Sequence, residues 1–333
     1  MDDARNALEI IRFGRPQRVA MGIPGEVLCY FGCNHESWDG GGHHLPVGSR
    51  WLDIWGTQWH REHDGVMGFP RGNPLADLPS ALKIYRWPDP DDERLCGPIH
   101  ARARSADRAA GLLGGSHRDT LWERAYMLVG MENLMGWMHD EPGAVAELFQ
   151  RIMDFQLGMA RHYLAVGIQV AHLGDDLGTQ RALLMSPRFL AGMLAPQYRR
   201  LTSLYRERGV LLNFHSCGHI EPALDLFIEL GIDVLNPVQA NANDLAALRR
   251  RTQGRLALAG GVGSEVVVAG PPERIRAVVR QRLWELGRDG GYFCSPDQGM
   301  PWPEAHYRAF QEAVAEFGAY PLRQPEPALA SVA

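Results

Sequence analysis

The chain has 333 residues, 45% hydrophobic and 22% charged, the balance of a globular protein long enough to bury a large core without disulfides. A formal net charge of −5 leaves no basic footprint for nucleic acid as the main partner. No apolar run is long enough to cross a membrane. The opening Met1-Asp-Asp-Ala-Arg5 lacks a secretory pattern, and five sparse cysteines fit a reducing compartment, so a cytoplasmic protein is expected.

Residues 1–110 read as a loop-rich N-terminal part, with Gly40-Gly-Gly-His-His44, several proline turns, and Trp38, Trp51, Trp55, Trp59 and Trp87. Within it, residues 18–23 predict a short strand and 51–59 a hairpin. From about residue 140 the pattern becomes regular. Pro142 opens a long helix to Ala165, closed by Gly167. A strand at 168–173 ends in Gly174-Asp175-Asp176. Ser186-Pro187 reads as an N-cap and first helical position, and the strand at 210–214 runs into His215-Ser-Cys-Gly218. Further helices are expected near 221–230, 243–250, 272–286 and 303–317, alternating with strands at 232–236, 256–259 and 291–294. Short apolar strands separated by helices must run parallel, buried on both faces. A closed barrel and an open doubly wound sheet both satisfy this pattern, and the lack of a glycine fingerprint for dinucleotides favours an α/β fold of TIM-type (β/α)8 barrel class. A single domain over residues 1–320 and a flexible tail at 321–333 are expected.

In such a barrel the strand ends converge on one rim, where catalytic loops lie. Asp175 and Asp176 follow one strand, His215 and Cys217 the next, Asn236 and Gln239 the third, and Cys294 a later one. His215, Cys217 and Cys294 form a candidate three-ligand metal set with one open position, the catalytic rather than the structural zinc pattern. The alternative is that Cys294 is a core thiol. Asp175 and Asp176 are candidates for orienting a substrate or carrying a proton, or for capping the following turn. His172 reads as a core histidine, and His219 as a neighbour of the metal set or an exposed side chain. His43 and His44 read as a mobile loop or a lid, and Cys29 and Cys33 as structural or cavity-lining. The tryptophans at 51–59 suit packing of the N-terminal part onto the barrel, or a cavity wall. Trp122, Glu123 and Tyr126 are lesser candidates for the cavity lining.

The stretches Asn213-Phe-His-Ser-Cys-Gly-His-Ile220 and Leu230-Gly-Ile-Asp-Val-Leu-Asn-Pro-Val-Gln239 resemble the uroporphyrinogen decarboxylase superfamily, and within it the zinc-dependent branch of corrinoid-linked methyltransferases. Gly174-Asp-Asp-Leu-Gly-Thr-Gln180, Ala259-Gly-Gly-Val-Gly263, Gly290-Gly-Tyr-Phe-Cys-Ser-Pro296, Asp53-Ile-Trp-Gly-Thr57 and Pro74-Leu-Ala-Asp77 support it. The resemblance implies a methyltransferase with zinc on His215, Cys217 and Cys294. It would move a methyl group between a corrinoid (cobalamin), held on a separate carrier protein, and a small-molecule thiol or tetrahydrofolate. Where some relatives add a glutamate ligand, this chain offers Gln239. The decarboxylase branch grips substrate carboxylates with an early arginine segment. The corresponding Val27-Leu-Cys-Tyr-Phe-Gly-Cys-Asn-His35 contains no arginine. A metal-independent decarboxylase or lyase run by Asp175 or Asp176 is the alternative.

Overall fold

A computed structural model describes residues 1–325. Of the tail expected at 321–333, residues 326–333 lie outside the described residues, while Leu322 packs against the core. Among the described residues no helix is long and apolar enough to cross a membrane.

β1 (Val27–Leu28) is followed by a small antiparallel sheet, β2 (Arg50–Leu52), β3 (Gln58–His60) and β4 (Phe69–Gly72). Trp51 and Trp59 stand opposite each other across β2 and β3 with their rings stacked, as the hairpin expected at 51–59 requires. The chain then enters β5 (Gly114–His117), β6 (Val170–Gly174), β7 (Leu211–His215), β8 (Val234–Val238), β9 (Ala257–Val262) and β10 (Tyr292–Pro296). These six and β1 form one parallel sheet in the order β1-β5-β6-β7-β8-β9-β10, with helices between strands. At its far edge Ala20 pairs in parallel with Phe293, a few residues before β1. The two edges of the sheet are thus occupied by neighbouring stretches of one segment, and the sheet curls into the barrel architecture that the strand–helix alternation predicts. The strand expected at 18–23 is reduced to isolated bridges at Arg18 and Ala20.

The long helix spans Pro142–Ala165, as expected from its proline and glycine punctuation. Ser186 accepts the Phe189 N–H at 3.2 Å, an N-cap of the expected kind. β1, β4 and β5 have no counterpart among the expected strands, and in β5 the reason is steric. A Cβ on Gly114 would stand 2.7 Å from His172 Nε2, and one on Gly115 2.7 Å from the Tyr163 ring, so both positions need glycine despite its poor strand propensity.

Side chains alternate between the two faces of each strand. Leu211, Val234, Ala257, Ala259 and Phe293 point inward, where helix Asp3–Ile11 closes the N-terminal end of the barrel with Ala7, Ile10 and Ile11. Leu212, Phe214, Leu235, Leu258, Tyr292 and Cys294 point outward into the main core beneath the helices. The N-terminal part is tied to the barrel by Arg124, which is fully buried and pairs with Asp53 at 3.1 Å and Asp119 at 3.4 Å. Two carboxylates around one guanidinium supply the partners a buried charge requires.

Candidate metal centre and its cavity

The inward face of β7 carries Asn213 and then His215 at the rim end, with Asn236 beside His215 on β8. His215 Nδ1 lies 3.1 Å from Asn236 Oδ1. An amide oxygen only accepts, so Nδ1 carries the proton and Nε2 is left free. Nε2 sits 3.4 Å from Cys217 Sγ and 3.4 Å from Asp176 Oδ1. The ligand atoms of Asp176, His215 and Cys217 all lie within 4.8 Å of one another.

Backbone contact between the loops after β6 and β7 creates this convergence. A Cβ on Gly218, whose φ is +87°, would stand 2.3 Å from Gly178 O. One on Gly178 would meet His219 N at 2.7 Å and Cys217 O at 2.9 Å. Two glycines therefore let the loops touch main chain to main chain. The His219 N–H donates to Thr179 O at 2.6 Å, and the Cys217 N–H to Asp176 Oδ1 at 2.8 Å. Burial opposes a charge on His215, but Asp176 and Cys217 outweigh it and raise its pKa well above the ordinary histidine value. Burial also opposes a charge on Asp176, and His215 overcomes it and lowers that pKa. The trio draws a positive charge into its centre. Imidazole, thiolate and carboxylate with an open side fit a catalytic zinc ion.

Three sequence expectations change. Cys294 is fully buried on the outward face of β10, beside Tyr292, while Phe293 takes the inward position. Burial raises its thiol to about 12. It joins no cluster of metal-ligating groups among the described residues, whereas Asp176 does. Gln239 Oε1 accepts the Gly218 N–H at 2.6 Å, so this side chain holds the Cys217-Gly218 turn from behind. Asp175 is fully buried and accepts from Leu121 N–H at 2.8 Å, Glu123 N–H at 2.7 Å and Tyr198 O–H at 2.6 Å. It fastens β6 to helix Trp122–Val129 and does not line the cavity.

Asp176, His215 and Cys217 open onto a cavity of about 670 Å3. Its floor includes His172, whose Nδ1 accepts from Asn213 Nδ2 at 2.9 Å, so the expected core histidine also faces the cavity. Met67, Phe69 and Trp59 roof it from the small sheet and its connections. Glu123 and Tyr126 line one wall, with the Tyr126 hydroxyl donating to Glu123 at 3.0 Å, while Trp122 is buried in the core. Burial, then the charges of Asp119, Asp176 and Asp175, raise Glu123 well above the ordinary carboxylate range.

Asp119 and Arg118 complete the wall. Asp119 and His35 are paired ring to carboxylate, and both carry left-handed backbone, at φ +52° and +64°. His43 Nδ1 accepts the Gly68 N–H at 2.8 Å, so its other nitrogen donates to His35, also at 2.8 Å. His43, expected on a mobile loop, therefore anchors the glycine-rich segment to the cavity wall, while His44 is exposed. His35, Arg118 and Asp119 escape sequence reading because they come together only through the fold.

The uroporphyrinogen decarboxylase (URO-D) family model matches residues 120–317, and the chain belongs to that family. A solved methyltransferase from Methanosarcina mazei is similar at 16% identity and a TM-score of 0.70, with 94% of this chain and 98% of that one covered. A B12-independent methionine synthase from Shewanella aligns over 75% of this chain and 67% of its own at 10% identity, with a TM-score of 0.34. The first likeness carries the barrel fold, and the second is too distant to carry more. None of the curated proteins compared matches the chain.

Proposed function

We propose that this protein is a zinc-dependent methyltransferase, passing a methyl group between a corrinoid on a carrier protein and a small thiol or tetrahydrofolate. The observation that carries the reading is the meeting of Asp176, His215 and Cys217 at the rim end of the barrel, open to a cavity. Membership of the URO-D family and the fold shared with a methyltransferase are consistent with it. Asp176, His215 and Cys217 would hold the zinc ion, which would supply Lewis-acid chemistry toward a substrate thiol. The chain's own residues shape the rest. Asn236 fixes the His215 tautomer, Gln239 and Asp176 hold the Cys217 loop, and Trp59, Met67 and Phe69 give the cavity an apolar roof.

The metal-independent decarboxylase reading finds less support. The oxygens of Asp175 are committed to three donors, and Arg118 is the one guanidinium or ammonium lining the cavity among the described residues. A polycarboxylate substrate needs several fixed cations.

Metal analysis of the purified chain should find about one zinc per molecule. Zinc should be lost in folded Cys217→Ser and Asp176→Ala variants and kept in Cys294→Ser. With methylcobalamin as donor, chelation should abolish methylation of a small thiol or tetrahydrofolate while circular dichroism stays unchanged. A wild-type chain free of zinc, or zinc that follows Cys294 instead of Cys217, sinks the assignment.

A further inference from the structure

We propose that Gln298 is the fourth protein ligand of the rim metal, through its amide oxygen, giving a centre with a single thiolate. The inference rests on the metal reading above and concerns a residue that sequence reasoning passed over.

Gln298 lines the same cavity, and its Nε2 stands 2.9 Å from Cys217 Sγ. A half-turn about the last side-chain bond exchanges the amide nitrogen for the oxygen at that place. The side chain thus meets the trio at Cys217, from the cavity that Asp176 and His215 also line. Its placement in the fold repeats that of the other loop ligands. Asp176 lies two residues beyond the end of β6, Cys217 two beyond β7, and Gln298 two beyond β10.

The turn that delivers Gln298 is fixed from below. Its own N–H donates to Ser264 Oγ at 2.8 Å, and Asp297 Oδ1 accepts the Ser264 N–H, also at 2.8 Å. Gln239, the other glutamine near the centre, has its oxygen engaged by the Gly218 N–H. Cys294 lies on the far face of β10. Of these three side chains, Gln298 is the one aimed at the trio.

The charge balance also suits a neutral fourth ligand. One thiolate and one carboxylate cancel a divalent cation, so an amide leaves the centre neutral where a second thiolate would make it an anion. Two oxygens, one nitrogen and one sulfur form a harder set than a two-thiolate site and favour zinc or cobalt over softer ions. A neutral amide oxygen is also the ligand of the four that an incoming substrate anion displaces most easily.

The test is metal binding to the full-length apoprotein. Zinc affinity is read by competition with a chromophoric chelator, and cobalt(II) substitution by the ligand-field and sulfur-to-cobalt bands. Gln298→Ala should weaken zinc by roughly tenfold or more, the scale seen even for groups that only support a ligand. It should shift the ligand-field bands and leave the sulfur band, which Cys217 alone should supply. Gln298→Glu keeps an oxygen at that place and should restore or exceed wild-type affinity. Unchanged affinity and spectrum in Gln298→Ala overturns the proposal. So does a Gln298→Glu variant weaker than Gln298→Ala, which would mean that the amide donates an N–H to the thiolate. A wild-type chain that binds neither ion overturns the metal reading and this proposal with it. A failure confined to the Gln298 variants leaves the three-ligand centre standing. Gln298 is exposed, so neither variant disturbs the core.

Discussion

The side chains at the centre depend on a glycine that carries no chemistry. Gly218 combines a left-handed φ of +87° with main-chain contact against Gly178, so a methyl group there meets both strain and a carbonyl oxygen. Gly218→Ala should lose roughly 2 kcal/mol or more in urea unfolding and should bind zinc far more weakly, because Cys217 is carried on the same turn. A variant with wild-type stability and zinc content would show that the loops are not clasped as described. At this scale the sequence is informative about place and uninformative about direction. That His215 and Cys217 end a strand is legible from Val210-Leu-Leu-Asn-Phe214 running into a glycine turn. That Cys294 turns away is not, because a one-residue change of strand parity moves a side chain to the other face and leaves composition untouched. Gln298 is silent in sequence, since an amide beyond a strand end carries no metal signature.

At the scale of elements, the two adjacent aspartates divide their labour. Asp175 joins the end of β6 to the start of helix Trp122–Val129 and to Tyr198 on helix Ala195–Arg206. Asp175→Ala strands two buried N–H groups and a hydroxyl, and should cost about 3 kcal/mol or more in urea unfolding. Its zinc content should stay near that of the wild type, whereas Asp176→Ala should lose zinc with a smaller loss of stability. Equal stability losses in the two variants would contradict this division. Elements after residue 140 are readable because apolar runs, prolines and glycines agree there. β5 is not, because close packing against His172 and Tyr163 demands the glycines that local preference reads as loop.

For the whole molecule, the helical layer is locked to the sheet partly through His117. Its side chain is fully buried on β5 between Gln156 and Tyr205, at 2.7 and 2.5 Å. Burial lowers its pKa to about 4, against the opposing hydrogen bond to Gln156. The unfolded chain then binds the proton that the folded one refuses. The contribution is complete above about pH 6.5 and is lost as the pH falls toward 4. By pH 5 the loss amounts to about 2 kcal/mol. Urea unfolding at pH 7 and pH 5 should show a steeper drop for the wild type than for His117→Gln. Parallel drops would mean that this histidine is not the titrating group.

The roof of the cavity and the cluster at its rim come from different stretches of the chain. Trp59, Met67 and Phe69 belong to the small sheet and its connections, outside residues 120–317, whereas Asp176, His215, Cys217 and Gln298 fall inside that span. The walls, with Glu123, Tyr126 and His172, share the span of the rim cluster, and the roof stands apart from it in the chain. Substitutions at Trp59, Met67 or Phe69 can alter which molecule the cavity admits without touching Asp176, His215 or Cys217. The roof is the part of this chain on which a new preference would first be written.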